Sequence, residues 1–254
     1  MIDIHCHILP GVDDGPKTKE ESILMAREAV NQGIETIIAT PHHRNNTYVN
    51  SKKAILRVVD EFNTILQNEQ IPLTILPGQE TRIFGEILED YNKEEILTLN
   101  NSNYLFLEFP SSSVPRYAER LLYEIQLEGL NPIIVHPERN KEILDNPNIL
   151  YNLVKNGALT QVTAASLAGF FGKSIKKFSY QLIENNLTHF VASDAHNIHN
   201  RSFKLNEAYD TIEQEYGIDS VYLFKENAEM ILDGKLIFKE VPQQIKKKKL
   251  FGIF

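Results

Sequence analysis

Met1-Ile-Asp-Ile-His5-Cys-His7-Ile-Leu-Pro10 opens the chain as an apolar run that ends in His-x-His and passes into Gly11-Val-Asp13-Asp14-Gly15-Pro16. Successive side chains of a strand point to opposite faces, so His5 and His7 share one face and Cys6 takes the other. Two imidazoles at the end of a strand, beside a turn rich in Gly, Pro and Asp, suit two ligands of one metal ion. Alone, the motif also fits ordinary surface or hydrogen-bonded histidines. It gains weight because apolar strands ending in residues of metal-ligand type recur down the chain.

Outward from that stretch, Thr18-Lys-Glu-Glu21 is a capping box for a helix whose Ile23, Ala26, Ala29 and Val30 keep one face apolar. Gly33 closes it, and residues 34–40 form a second strand that ends in Pro41-His42-His43. Ser51 starts a helix with Ile55, Val58, Val59, Phe62 and Leu66 at helical spacing. A third strand, residues 72–77, runs into Gly78-Gln-Glu80-Thr-Arg82, and a fourth, residues 104–110, carries Glu108. A helix around 115–129 leads to the fifth, Asn131-Pro-Ile-Ile-Val-His136-Pro-Glu-Arg139. Pro147 opens and Gly157 closes a further helix; residues 159–163 are a short sixth strand. A helix through 175–185 precedes the seventh, Thr188-His-Phe-Val-Ala-Ser-Asp194-Ala-His196, and residues 201–234 read as helical.

Seven strands alternating with helices, with no linker between them, predict parallel strands and crossover helices in one α/β domain. An open doubly wound sheet concentrates its site at one switch point, whereas a barrel gathers residues from the carboxyl ends of all its strands. Here residues of metal-ligand type end strands one, two, four, five and seven, and Glu80 lies just past strand three, which favours the TIM-like barrel.

The 254 residues, 42% hydrophobic and 24% charged, suit a soluble globular protein. The single cysteine excludes an intramolecular disulfide framework and agrees with a cytoplasmic location. Neither a signal peptide nor a membrane-spanning run is expected. A net charge of −8 argues against broad nucleic-acid binding, and so against a nuclease.

The candidate metal ligands are His5, His7, Asp14, His42, Glu80, Glu108, His136, Asp194 and His196. Any one of them alone reads as a solvated loop residue or a satisfied core histidine. Together they fall too regularly at strand ends for that. His189 and His199 are left out, since one begins a strand and the other lies in a loop; His43 is an alternative to His42. So many imidazoles and carboxylates exceed what one tetrahedral ion needs, so two or three divalent ions are expected. Mixed N/O ligation suits manganese, iron, zinc or cobalt better than magnesium or calcium alone. Paired ions about 3.5–4 Å apart suit in-line displacement at phosphorus. Arg139 and Arg201, close after His136 and Asp194, are candidates to grip phosphate oxygens bidentately. The competing reading of each is a surface arginine paired to an acid such as Glu138. A Cys-x5-Arg loop from Cys6 would need arginine at position 12, which is Val12, and no Gly-x4-Gly-Lys-Ser/Thr loop occurs. Metal-activated water is then the expected nucleophile.

His5-x-His7, Pro41-His42, Glu80, Glu108, His136 and Asp194-x-His196 resemble the PHP family, whose members share a distorted (β/α)7 barrel with a trinuclear metal site. More narrowly, residues 3–16 with His136-Pro-Glu-Arg139 and Ser193-Asp-Ala-His196 resemble the bacterial tyrosine-protein phosphatases of the CpsB/CapC/YwqE type. The resemblance implies a manganese-dependent phosphatase acting on phosphotyrosine proteins, including a bacterial tyrosine kinase, in capsule or exopolysaccharide synthesis. It implies one metal on His5, His7, Glu80 and Asp194, a second on Glu80, Glu108 and His136, and a third on Asp14, His42 and His196. Arg139 and Arg201 would bind phosphate, and with Asp194 they form the implied catalytic set.

The alternative is a small-molecule phosphomonoesterase such as a histidinol-phosphate phosphatase, which the same cluster would serve. A non-catalytic accessory domain would predict missing ligands. The PHP barrel is expected to span 1–245, followed by a basic and apolar tail, 246–254. Its four lysines and its Leu and Phe residues suit an anionic membrane surface; a solvated terminus is the preferred reading.

Overall fold

The computed structural model of the chain describes residues 1–246. Strand β1 (Ile2–Cys6) pairs in parallel with β2 (Thr36–Ala39), and its register shifts between Asp3 and Cys6. Strict alternation would put Ile4 and His5 on opposite faces. Instead Ile4 joins the interior cluster of Ile38, Phe106 and Phe190, and the His5 ring lies 5.0 Å from that of Phe106. The irregularity therefore turns two consecutive residues toward the barrel axis, as bulges beside functional sites often do. His5 and His7 share a face, as predicted.

β3 (His42–His43) continues the line of β2 after Pro41, and β5 (Glu80–Arg82) continues β4 (Thr74–Pro77) after Gly78 and Gln79. Strands two and three of the sequence are thus each split. Pro41 offers no N–H to a ladder. Gly78 passes so close to Ile38 that a Cβ there would sit 2.7 Å from its Cγ2. The pieces form a sheet of order β1-β2-β4 and another of order β3-β5-β6-β7-β8-β9, with β6 (Tyr104–Glu108), β7 (Asn131–Val135), β8 (Leu159–Thr163) and β9 (Phe190–Ala192). All pairings are parallel. A parallel bridge between Cys6 and Ala195 joins the two ends, supported by His7 N–H donating to Ala195 O (2.9 Å) and Asp194 N–H to His5 O (2.8 Å). The result is a closed, distorted α/β barrel of seven strand positions.

Inward residues such as Ile133, Val135 and Phe190 fill the axis, while Ile37, Leu105, Leu107, Ile134 and Val191 face the helices. That outer layer comprises α1 (Lys19–Asn31), α2 (Lys52–Asn68), the short α3 (Ile87–Asn92), α4 (Ala118–Leu127), the short α5 (Lys141–Asp145), α6 (Asn148–Lys155), the short α7 (Ala164–Ala168), α8 (Lys173–Glu184), α9 (Leu205–Tyr216) and α10 (Ile218–Leu232). Thr18 caps α1 by accepting from Glu21 N–H, but the Glu21 carboxylate accepts from Lys17 N–H instead of returning to Thr18. The helical stretch read from 201 begins only at Leu205 and divides at Gly217 (φ 84°). Among the described residues, no helix is long and apolar enough to cross a membrane.

Candidate metal centre

Every strand position but that of β8 delivers an imidazole or a carboxylate to the carboxyl end of the barrel. His5 and His7 come from β1 and its exit, Asp14 from the turn that follows, His42 from β3, Glu80 from β5 and Glu108 from β6. His136 follows β7, and Asp194 and His196 follow β9. His136 (φ 37°) and Asp194 (φ 53°) adopt the left-handed backbone that L side chains avoid, which costs on the order of 1–3 kcal/mol each. Ladder-like bonds hold them there: His136 N–H donates to Gln161 O at 2.7 Å and Asp194 N–H to His5 O. The turns aim both side chains into the mouth.

Glu80 lies at the centre. Its Oε2 is 3.6 Å from His5 Nε2, 3.2 Å from His7 Nε2 and 2.8 Å from His42 Nδ1, and its Oε1 is 2.7 Å from His136 Nε2. Asp194 Oδ1 stands 3.5 Å from His5 Nε2 and 3.4 Å from His7 Nε2. Glu108 Oε2 is 3.7 Å from His42 Nδ1. Asp14 Oδ1 is 3.2 Å from His196 Nε2 and 3.5 Å from His42 Nε2. Two ligands each about 2.1 Å from one ion lie roughly 3–4 Å apart, the spacing most of these pairs show. Three groups have the proximity to share an ion: His5, His7 and Glu80; His42, Glu80 and Glu108; and His7, Asp14, His42 and His196. This grouping puts His42 with Glu108, where the family resemblance puts His136.

The histidines are oriented from behind. His7 Nδ1 is 2.6 Å from Asp13 Oδ2, His5 Nδ1 is 2.8 Å from Gln161 Oε1, and His196 Nδ1 is 2.9 Å from Asp194 O. Each partner is an acceptor, so Nδ1 carries the proton and the Nε2 lone pair faces the cluster. Asp13 and Gln161 are absent from the sequence-derived set. The alternation of Leu159, Gln161 and Thr163 on β8 marks Gln161 as inward, but nothing in the turn distinguishes Asp13 from Asp14. Arg82 lies outside that set too: its Nη2 is 3.1 Å from Glu108 Oε2. Asn in place of Asp13 is expected to weaken divalent-ion affinity roughly 10–100-fold, read by metal titration. Unchanged affinity would show that His7 needs no such support.

Burial opposes ionisation of Glu80, yet the adjacent His42 and His5 outweigh it and hold the carboxyl well below its usual range. Burial likewise opposes ionisation of Asp194, which Arg139 and His5 keep well below the carboxylate norm. Burial and the Glu80 charge push Glu108 up to about 7. Burial pulls His136 down to about 4, aided by Arg139, and His196 down to about 4, aided by His7. Burial disfavours charge on His7 too, but Asp13 overrides it and raises the imidazole well above its normal value. Protons and divalent cations therefore compete for the same lone pairs.

The donor set fits such ions. Glu80 Oε2, Glu108 Oε2, His42 Nδ1 and His196 Nε2 are buried yet lack a hydrogen-bond partner, their short contacts being misaligned for one. Buried polar atoms left so carry a penalty of about 1–3 kcal/mol each, which a ligand would relieve.

Both arginines reach the same mouth. Arg139 Nη2 is 2.7 Å from Asp194 Oδ2; Arg201 Nη1 is 3.0 Å from Asp14 Oδ2, and its Nη2 is 3.7 Å from Asp194 Oδ1. Arg139 does not pair with Glu138, which turns inward to accept from Thr163 N–H (3.0 Å) and Ser166 Oγ (2.6 Å). Cys6 is buried, with Sγ against Ala195 O, and burial raises its thiol well above its normal range.

The excluded histidines lie elsewhere. His199 is exposed, and His189 is a buried core residue whose Nδ1 accepts from Thr160 N–H at 3.1 Å. Burial lowers His189 to about 3. The unfolded chain, with its ordinary value near 6.5, binds the proton first as pH falls. Stability should therefore drop below about pH 6.5, by up to roughly 1.4 kcal/mol per pH unit from this group. His189→Asn is expected to flatten that acid slope in chemical denaturation; an unchanged slope contradicts it. His43 is buried with neither ring nitrogen bonded, and it joins none of the three groups.

Fold and side chains together define a PHP-like parallel barrel with an imidazole–carboxylate mouth. The family model for capsular polysaccharide synthesis, CpsB/CapC, matches residues 1–233, and the chain belongs to that family. The tyrosine-protein phosphatase YwqE of Bacillus subtilis is 54% identical over 254 residues, the full length of both chains. A crystal structure from the work on YwqE of Bacillus subtilis and CpsB of Streptococcus pneumoniae, described as unique metal-dependent tyrosine phosphatases, matches with TM-score 0.95. It is 53% identical and covers 97% of this chain and 100% of its own. A histidinol phosphate phosphatase from Lactococcus lactis, complexed with zinc, L-histidinol and phosphate, shares the fold at TM-score 0.51 and 14% identity, covering 84% of this chain and 92% of its own.

Proposed function

We propose that this chain is a divalent-metal-dependent protein-tyrosine phosphatase. One observation carries the reading: nine imidazole and carboxylate side chains from six strand positions converge at one mouth with two guanidinium groups beside them. The full-length similarity to YwqE supports phosphotyrosine as the substrate. His5, His7, Glu80 and Asp194 would hold one ion, with Glu108, His136, His42, Asp14 and His196 dividing the others. Manganese is the ion we favour, since mixed nitrogen and oxygen donors without thiolate suit it; iron, zinc, cobalt and magnesium are its competitors. When bound, such ions supply charge neutralisation and an acidified water.

The chain's own residues do the rest. Arg139 and Arg201 clamp the phosphate oxygens and offset charge in the transition state. Asp13, Gln161 and the Asp194 carbonyl keep the His7, His5 and His196 rings in one tautomer. A phenolate leaves with a conjugate-acid pKa near 10, so phosphotyrosine asks less of a general acid than an alkyl phosphate does. The substrates we propose include a bacterial tyrosine kinase and other phosphotyrosine proteins of capsule or exopolysaccharide synthesis, in the cytoplasm. We further assign the barrel to residues 1–245 and set 246–254 apart as a basic and apolar tail by sequence; residues 247–254 lie outside the described part of the structure.

The histidinol-phosphate reading draws only on a shared fold. Turnover of a phosphotyrosine peptide and of histidinol phosphate, each with added manganese, separates the two. A clear preference for the peptide, abolished by a chelator and restored by metal, is expected. A large preference for histidinol phosphate would overturn the proposal.

A further inference from the structure

β8 is the strand position that brings no imidazole or carboxylate to the mouth. Its carboxyl end is Thr163, where α7 begins at once and carries the chain to Gly169-Phe170-Phe171-Gly172. The two glycines have φ of 92° and 91°, a backbone that L side chains rarely adopt, and they set the aromatic pair on the rim between α7 and α8. Phe170 is 58% exposed, unusual for so large an apolar side chain, and Lys204 Nζ lies 4.7 Å from its ring centroid. The Phe171 ring centroid lies 5.4 Å from the guanidinium carbon of Arg139. Arg139 in turn pairs with Asp194, and its buried Nε has no hydrogen-bond partner. An aromatic wall thus adjoins a guanidinium that still has a donor to spend.

We propose that Phe171, with Phe170 beside it, is the surface on which the ring of a phosphotyrosyl residue rests while its phosphate meets Arg139. This rests on the phosphatase reading above. In phosphotyrosine a single ester oxygen separates ring from phosphorus, so a phosphate held by Arg139 brings the ring to what lies next to Arg139. Offset or edge-to-face contact with Phe171 then favours an aromatic ester over an aliphatic one. The position of β8 thereby serves the substrate's side chain, as the other strand positions serve its phosphate.

The test compares wild type, Phe171→Ala, Phe171→Tyr and Phe170→Ala, each loaded with manganese and matched for metal content and thermal unfolding. KM for a phosphotyrosine peptide is expected to rise about tenfold in Phe171→Ala and to recover in Phe171→Tyr. The inhibition constant of inorganic phosphate, which has no ring, should change less than about twofold. Binding of a peptide carrying a non-hydrolysable phosphonomethyl-phenylalanine, measured by calorimetry, should weaken in parallel with KM. An unchanged KM overturns the proposal. So does an equal loss for peptide and phosphate, because Phe171 would then merely support Arg139. If wild type binds the phosphono-peptide in a Phe171-dependent way but hydrolyses no phosphotyrosine, the ring surface stands and the phosphatase reading falls. Absence of both sinks both.

Discussion

Replacing Glu80 with Gln is expected to lower turnover of a phosphotyrosine peptide by about a thousandfold or more, while leaving the far-UV spectrum unchanged. Glu80 is fully buried and places one oxygen near His5, His7 and His42 and the other against His136, so a single carboxylate borders two of the three groups. Glutamine keeps the volume but removes the charge. Its amide is a poor ligand for a divalent cation, and the buried His42 loses the adjacent negative charge that favours its protonated form. The bound-metal count should fall together with activity. Activity within about tenfold of wild type would show that Glu80 is structural.

Arg139→Ala is the second large effect, with an expected loss of about 10²–10³ in kcat/KM on any phosphate ester, the range for removing one transition-state donor. Unlike the Glu80 variant it should keep its metal content, because Arg139 contacts the proposed ligand Asp194 and has no lone pair to offer an ion itself. Lysine should restore only part of the loss, since a point charge cannot reproduce the bidentate fork. Metal content that fell with activity would recast Arg139 as a support for Asp194. Wild-type activity on every ester would remove it from the phosphate site.

The rhythm of apolar strands and helices was legible from end to end, because parallel barrel strands are buried on both faces and read as continuous apolar runs. The clustering of imidazoles and acids at strand ends was legible for the same reason: each run stops where its polar residue begins. Local geometry was not. Neither the register shift that turns both Ile4 and His5 inward nor the break of strand two at Pro41 leaves a periodicity to read. The helices α3, α5 and α7 have five or six residues, too few for a 3.6-residue stripe. Alternation marks Gln161 as inward without showing that it meets His5, 156 residues away, and nothing in the turn tells Asp13, which meets His7, from Asp14. Arg139 could equally have paired with its neighbour Glu138, and the inward turn of Glu138 toward Thr163 and Ser166 settles that point.

The most direct measurement is the divalent-ion stoichiometry of the purified chain, taken by elemental analysis after equilibration with manganese and desalting, for wild type and Glu80→Gln side by side. Two or three ions per wild-type chain, with at least one lost in the variant, is the predicted result. A wild-type chain that retains no ion, or a variant that retains as many as wild type, would contradict the account.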